Sequence, residues 1–124
     1  MEAIAAIALI AVSAICKAVQ DTLAHHYSTS IFAKWNGDFW NPETSWQNKY
    51  QNGIPAHGPR FFGSTTFLVA LTDGWHLAGL FRHASILAAV MLYEPFFGWW
   101  DYPGLYLIFT GVFSVFYSKV FRSK

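Results

Sequence analysis

The stretch AIAAIALIAVSAIC, residues 3–16, contains no charged side chain and consists mainly of Ala, Ile, Leu and Val. The helical pattern continues past Lys17 to about Tyr27, which is long enough to cross a hydrocarbon core about 30 Å thick. A signal peptide would need a positively charged beginning and a small-x-small cleavage site. Glu2 is acidic and no such site follows, so the stretch predicts a retained transmembrane helix over residues 3–27.

The composition of the whole chain also indicates a membrane protein. Of 124 residues, 54% are hydrophobic and 12% are charged, whereas soluble domains carry about 25% charged residues. This balance excludes a disordered tail and a charged coiled coil. A net charge of +1 without a run of Lys or Arg excludes a typical nucleic-acid binder. The single cysteine, Cys16, excludes a disulfide framework and a Cys-based zinc site.

Residues 28–60 differ in character from the apolar stretch before them. They are rich in the turn formers Asn, Gly and Pro, and Trp, Tyr and Phe are interleaved with these. Trp and Tyr concentrate where the apolar membrane interior meets the polar head groups. The segment therefore predicts an aromatic-rich cap on one membrane surface, and a water-facing loop with its own small core is the alternative.

The second half of the chain predicts further membrane helices. We divide it into helices over residues 64–81, 84–100 and 102–121, which gives an all-α bundle of four helices in one membrane domain, residues 1–124. Neither Gly nor Pro marks a turn at Arg82-His83, so a single long middle helix and three crossings are the alternative. In the four-helix arrangement both termini share the side that holds Arg82 and Lys119, and the positive-inside rule predicts cytoplasmic termini.

Ionisable residues on the predicted helices indicate a polar site. Lys17, Asp21 and His25 follow at four-residue spacing, on the side of the first helix that carries the small residues Ala14 and Ala18. Ionisable side chains within membrane helices usually face a partner or a cavity. This side should therefore point into the bundle. Ion pairing of Lys17 with Glu94 or with Asp73 is a further interpretation that needs no catalytic role.

A second helical face carries the pair Asp73 and His76. Carboxylate and imidazole ligands suit Zn, Fe or Mn, and helical bundles build such sites from facing helices. We therefore predict a divalent metal site from Asp21, His25, His26, Asp73 and His76, with structural hydrogen bonding and a proton relay as alternatives. In the four-helix arrangement Asp21 and Asp73 differ in depth by about 15 Å, so a single site requires the three-helix arrangement.

The loop from Phe39 to Tyr50 mixes aromatic side chains with amides and charges. Aromatic rings at the interface and cations that reach phosphate suit a lipid head group. The predicted contacts to substrate or head group are Trp40, Trp46, Lys49 and Arg60. The alternative is a cap that only packs over the mouth of the bundle.

Three motifs connect the chain to a known group of proteins. They are DxxxHH at residues 21–26, FWNPExSWxNKY at residues 39–50, and PRFFGSTTF from residue 59 running into TDGWHL at residues 72–77. With these motifs the chain resembles a family of short, uncharacterised bacterial integral membrane proteins of the Bacteroidetes type. The resemblance covers roughly residues 20–120. It implies a bacterial inner membrane and no particular activity, substrate or cofactor.

The sequence leaves three functions open. The first is a metal-dependent hydrolase that acts on a lipid or lipid-linked substrate beneath the cap. The second is a non-enzymatic membrane subunit that binds a partner membrane protein or forms a homo-oligomer, and the third is a proton or ion relay. Membrane lipid is the expected partner in each case, and nucleic acid is not.

Overall fold

The computed structural model describes residues 2–122, and three long helices dominate them. These are α1 (Glu2–His25), α4 (Gly74–Leu92) and α5 (Asp101–Val115), and a π-helical turn, Phe116–Val120, extends the last one. The segments Ala3–His25, Gly74–Leu92 and Gly98–Val120 are long and apolar enough to cross a membrane. The prediction of an all-α membrane bundle is confirmed, with three long helices in the described part of the chain.

The predicted break at Arg82-His83 is wrong, because α4 passes through it without interruption. With neither Gly nor Pro at this point, the backbone hydrogen bonds continue. Two side chains also donate to backbone carbonyls four residues earlier in the helix. His83 Nδ1 donates to the carbonyl of Gly79 at 2.8 Å, and Ser85 Oγ donates to that of Phe81 at 2.6 Å. The three-helix alternative is therefore the observed arrangement.

The prediction that a helix begins at residue 64 is wrong. Residues 61–68 form turns and Val69–Leu71 forms a 3₁₀ turn, and α4 begins only at Gly74. Ser64 is buried, and its hydroxyl donates to the carbonyl of Lys49 at 2.7 Å, which ties the segment to the cap. Asp73 then caps α4, since its side chain accepts a hydrogen bond from the backbone N–H of His76. Irregular backbone is not tolerated in contact with lipid tails. The membrane span therefore begins at Gly74.

The end of α4 is fixed by Pro95 and Asp101, so the predicted helix over residues 84–100 does not form. Residues before a proline favour extended conformations, and Tyr93 already has a ψ of 131°. Buried Asp101 accepts hydrogen bonds from the Tyr93 hydroxyl at 2.6 Å and from the N–H groups of Phe96 and Phe97 at 2.8 and 2.9 Å. The bond to Asp101 raises the pKa of Tyr93 to about 12. These contacts close the turn into α5.

Helix α1 lies between the other two long helices and packs against both. Its interface with α4 is built from small side chains, and Gly79 lies so close to α1 that an added Cβ would meet Gln20 Nε2 at 2.8 Å. Small residues let membrane helices approach closely. Ala14 and Ala18 are fully buried as predicted, whereas Lys17 and Asp21 on the same side remain partly exposed and His25 is exposed.

The direction of the helices separates the two ends of the described chain. Ala6 near the start of α1 shares a cavity with Tyr93 and Tyr102, whereas Arg122 contacts His26 at the end of α1. Helices α1 and α5 therefore run in one direction and α4 in the other. Residues 3 and 122 therefore lie at opposite ends of the described helices, whereas the four-helix prediction placed both termini on one side.

The connection from His26 to Asp73 forms a cap of short helical pieces at one end of the bundle. It includes α2 (Gly37–Trp40) and α3 (Pro42–Ser45), whose first turns are capped by the side chains of Asn36 and Asn41. An aromatic core holds the cap together: buried Phe32 stacks on Trp40 at 5.3 Å and meets Phe121 of the last span at 5.2 Å. The cap thus has a small core of its own and remains attached to the helices.

The contact between Trp40 and α4 provides a test of this fold. A Cβ added at Gly74 would overlap the Trp40 ring. We expect Gly74→Ala to destabilise the protein by about 1–3 kcal/mol, the usual cost of overpacking. Gly111→Ala is the matched control, because nothing lies within 4 Å of its added Cβ. Thermal unfolding in detergent, followed by tryptophan fluorescence, measures both, and an equal response of the two variants would contradict the packing described.

Candidate functional site

Asp73 and His76 form a fixed carboxylate–imidazole pair at the start of α4. Asp73 is 3% exposed and accepts hydrogen bonds from the backbone N–H of His76 at 2.8 Å and from its Nδ1 at 2.9 Å. Because the carboxylate can only accept, Nδ1 carries the proton and donates. Nε2, on the opposite side of the ring, then faces away from the carboxylate, the arrangement that carboxylate partners give to metal-binding and proton-accepting histidines. Two of the predicted site residues are therefore brought together.

Asp21 belongs to a separate ion pair within α1. Lys17 Nζ lies 2.8 Å from its carboxylate and 5.6 Å from the centre of the Phe113 ring on α5. Residues four apart on a helix are neighbours, so this pairing needs no second helix. The ion pair of Lys17 is thus made with Asp21, and not with Glu94 or Asp73 as the alternative interpretation held.

The two histidines at the end of α1 have different surroundings. His25 is exposed and lines a polar cavity of about 660 Å³ together with Tyr27 and Glu43. His26 packs edge-on against Tyr117, and its Nε2 accepts a hydrogen bond from the Arg122 guanidinium. Burial lowers the pKa of His26, and the charges of Arg122 and His25 lower it further. His26 therefore remains neutral with Nε2 occupied, which suits a structural contact.

The five predicted metal ligands are divided among these separate contacts. Within residues 2–122 the structure contains no group of three or more His, Cys, Asp or Glu side chains that could hold a metal ion. A metal at Asp73 and His76 would need water or another molecule to complete its coordination. The five-residue metal site stays a prediction, with the Asp73–His76 pair as the part that geometry supports.

A polar cavity of about 400 Å³ lies in the cap, and we call it the cap cavity. Its lining includes Asp38, Gln47, Asn48, Tyr50, Asn52 and Arg60. The Asn48 amide donates to the carbonyls of Asp38 and, at 3.1 Å, Thr72, which fixes one wall next to the start of α4. The N–H of Arg60 donates to the carbonyl of Lys49 at 2.8 Å, which holds the other strand of the loop. Hydrogen bonds therefore fix the backbone on both sides of the cavity.

The two charged residues of the cap cavity are not paired with each other. Among the described residues the ion pairs are Lys17–Asp21 and Asp73–His76. Arg60 makes one long hydrogen bond, 3.4 Å, to the carbonyl of Asn48. A carboxylate and a guanidinium that line one cavity without an ion pair leave both charges available to a ligand.

The predicted head-group contacts differ in their availability. Trp40 is part of the aromatic core of the cap, so it stabilises the fold. Trp46 is 42% exposed and its indole N–H donates to the carbonyl of Glu43, and Lys49 lies 5.9 Å from the centre of the Tyr50 ring. Arg60 is the predicted contact that lines the cap cavity.

Sequence reasoning missed Asp38 and the pair Arg82-His83 as candidate residues. Asp38 follows Asn36-Gly37, and the side chain of Asn36 accepts from its N–H at 3.0 Å. This turn sequence is a local signal that could have placed Asp38 at a helix start. Arg82 and His83 were assigned to a turn, although the lack of Gly or Pro was the signal for a continuous helix.

Comparison with known proteins gives no match, since neither a family model, nor a curated protein, nor a solved structure is similar to this chain. The resemblance carried by the DxxxHH and FWNPExSWxNKY motifs therefore stays a prediction. The function has to be argued from the geometry of the chain itself.

Proposed function

We propose that the protein is a small integral membrane module that binds the polar head group of a zwitterionic lipid in the cap cavity. The observation that carries the proposal is that Asp38 and Arg60 line one cavity without an ion pair between them. A ligand with an anion and a cation at opposite ends satisfies both charges. A phosphoethanolamine group has this form.

The chemistry of the cavity fits such a ligand. A guanidinium binds phosphate oxygens through two parallel hydrogen bonds, and a carboxylate accepts hydrogen bonds from an ammonium group. The amide of Gln47 adds a polar group that can donate and accept. Arg60 therefore takes the phosphate and Asp38 the ammonium.

The surroundings of Arg60 support a position at the head groups. Phe62, two residues along the chain, is 84% exposed, and its ring contacts that of exposed Phe67 at 5.6 Å. Exposed aromatic rings beside basic residues are typical of the boundary between head groups and acyl chains. The same lipid can thus place its head in the cavity and its chains on these rings.

The charge distribution supports a cap that faces the cytoplasm of a bacterium, with the helices in the inner membrane. The cap contains Lys34, Lys49 and Arg60, and the last span adds Lys119 and Arg122 at the same end. The loop over residues 93–100 at the other end contains Glu94 and no Lys or Arg. Segments rich in Lys and Arg stay in the cytoplasm. This orientation replaces the earlier expectation of two cytoplasmic termini.

A metal-dependent hydrolase is the second candidate function, and the Asp73–His76 pair is the observation that favours it. Imidazole Nε2 and a carboxylate suit Zn, Fe or Mn, and a metal with an open position can activate water against a lipid ester. His76 would hold it through Nε2, with Asp73 orienting the ring from Nδ1, at the membrane boundary next to the cap cavity.

For head-group binding, we expect Asp38→Asn and Arg60→Gln each to weaken binding of phosphatidylethanolamine about tenfold, since a tenfold change is about 1.4 kcal/mol. Native mass spectrometry of the detergent-purified protein measures this. Phosphatidylcholine, whose trimethylated nitrogen has no N–H to donate to Asp38, should bind more weakly to the wild type. Lys34→Gln is the control, because Lys34 is an exposed cap cation outside the cavity. Equal retention by all three variants would refute the proposal.

For the hydrolase, elemental analysis of protein purified without chelators should find close to one divalent metal per chain. His76→Ala should remove it, because this variant loses the imidazole ligand, and Asp73→Ala should reduce it, because the ring loses the carboxylate that orients it. His57→Ala is the control, since this exposed cap histidine contacts Asn52 and not α4. A wild-type protein without bound metal would exclude this function and leave the lipid-binding module.

For the orientation, single cysteines placed in a Cys16→Ser background can be labelled with a membrane-impermeant maleimide in intact bacterial cells. Ala56→Cys on the cap should react only after permeabilisation, and Trp99→Cys in the opposite loop should react in intact cells, because both positions are exposed. Labelling after denaturation controls for expression. The reverse pattern would place the cap outside the cytoplasm.

A further inference from the structure

Arg82 lies in the middle of a membrane span without an acidic partner. It is the ninth residue of α4, which places its Cα about 12 Å from Gly74 at 1.5 Å per residue. Within residues 2–122 no ion pair includes it, and its nearest polar contact is His83 Nε2 at 3.4 Å. Charged groups inside a membrane are costly and usually mark a binding site or pathway. Arg82 is therefore a candidate for binding an anion.

The groove that contains Arg82 is basic, and we call it the basic groove. It has a volume of about 260 Å³ and is lined by His76, Arg82 and His83, with Phe67, Trp75 and Leu80 as apolar walls. None of its lining residues is Asp or Glu. The guanidinium of Arg82, with no acidic side chain in the lining of the cavity, favours an anionic ligand.

The hydrogen bonds of the two histidines orient their rings. His76 Nδ1 is held by Asp73, and His83 Nδ1 donates to the carbonyl of Gly79. The Nε2 of His83 lies 3.4 Å from the Arg82 guanidinium, so this ring helps to position the arginine. The polar atoms of the groove are thus fixed before a ligand enters.

The course of the groove indicates a lipid as the ligand. His76, the third residue of α4, lies at the membrane boundary, and Arg82 lies about 9 Å further in at the helical rise. Long basic side chains extend from such depths toward the head groups. Exposed Phe67, Trp75 and Leu80 offer an apolar surface beside the charge, which suits an acyl chain. The lining of the groove therefore extends from the level of the head groups to that of the acyl chains.

We propose that the basic groove binds the phosphate of an anionic membrane lipid, with Arg82 as its main ligand. The site uses none of the residues that line the cap cavity, although it shares His76 with the second candidate function. A carboxylate from a partner helix or from a second copy of this chain is the competing occupant. The lack of an acidic side chain in the lining of the groove, and the position of the groove between the levels of the head groups and the acyl chains, favour the lipid.

The test compares the wild type with Arg82→Gln in nanodiscs that contain phosphatidylcholine alone or with phosphatidylglycerol. Phosphatidylglycerol should raise the melting temperature of the wild type and leave that of Arg82→Gln unchanged. In phosphatidylcholine alone, Arg82→Gln should be at least as stable as the wild type, because it no longer carries an unpaired cation in the membrane. A merely structural arginine would give the opposite result there, a less stable variant.

Native mass spectrometry gives a second readout, in which Arg82→Gln should retain phosphatidylglycerol about tenfold less well than the wild type. Arg82→Lys, which keeps the charge, should retain an intermediate amount, and Lys119→Gln is the control for a cation outside the groove. Asp38→Asn should not change phosphatidylglycerol retention, which separates this site from the cap cavity. Equal retention by wild type and Arg82→Gln would overturn the proposal, as would a photo-crosslinker at Leu80 that captures a polypeptide instead of lipid.

Discussion

The fold depends on the requirement that every backbone N–H and C=O group in the hydrocarbon layer has a partner within the protein. Helices meet this requirement along their length, so the difficult points are where a span begins or ends. Asp73 caps the start of α4, and Asp101 binds the hydroxyl and two N–H groups of the turn after it. Two buried carboxylates thus set the limits of the middle span, and they explain why α4 occupies residues 74–92.

The all-α class, the first span and the burial of the small residues Ala14 and Ala18 on α1 could be predicted from the sequence. Hydrophobicity and residue size can be read from short stretches of sequence without knowledge of the packing. The number of spans was harder to predict. Arg82-His83 is polar enough to suggest the end of a span, but it contains no residue that ends a helix. Asp73 can cap a helix and Pro95 can end one, and α4 lies between these two residues. The pairing of Asp73 with His76 could be predicted from their helical spacing. The partner of Lys17 could not, because spacing allowed Asp21 on the same helix and did not exclude Glu94 or Asp73 on other segments.

The cap cavity and the basic groove lie on two sides of the same short connection. Asn48 donates to the carbonyl of Thr72, which immediately precedes the capping Asp73, and Asp73 holds His76 at the head of the groove. A ligand that moved Asn48 would therefore shift the residues that orient His76. Arg60 in the cap and Arg82 in the span can thus contact different depths of the lipid layer. Both sites are connected to the segment Thr72-Asp73.

The contact between the cap and the last span has a consequence for biosynthesis. The N–H of Ile31 donates to the carbonyl of Phe121 at 2.9 Å, and Phe32 packs against the Phe121 ring. These partners are separated by about 90 residues, which a ribosome adds in about 5–20 s at the usual rate of synthesis. The cap therefore leaves the ribosome long before its contact with Phe121 can form. During this interval Phe32 has its partners in the cap and on α1, and one side of the aromatic core stays open until the end of the chain arrives.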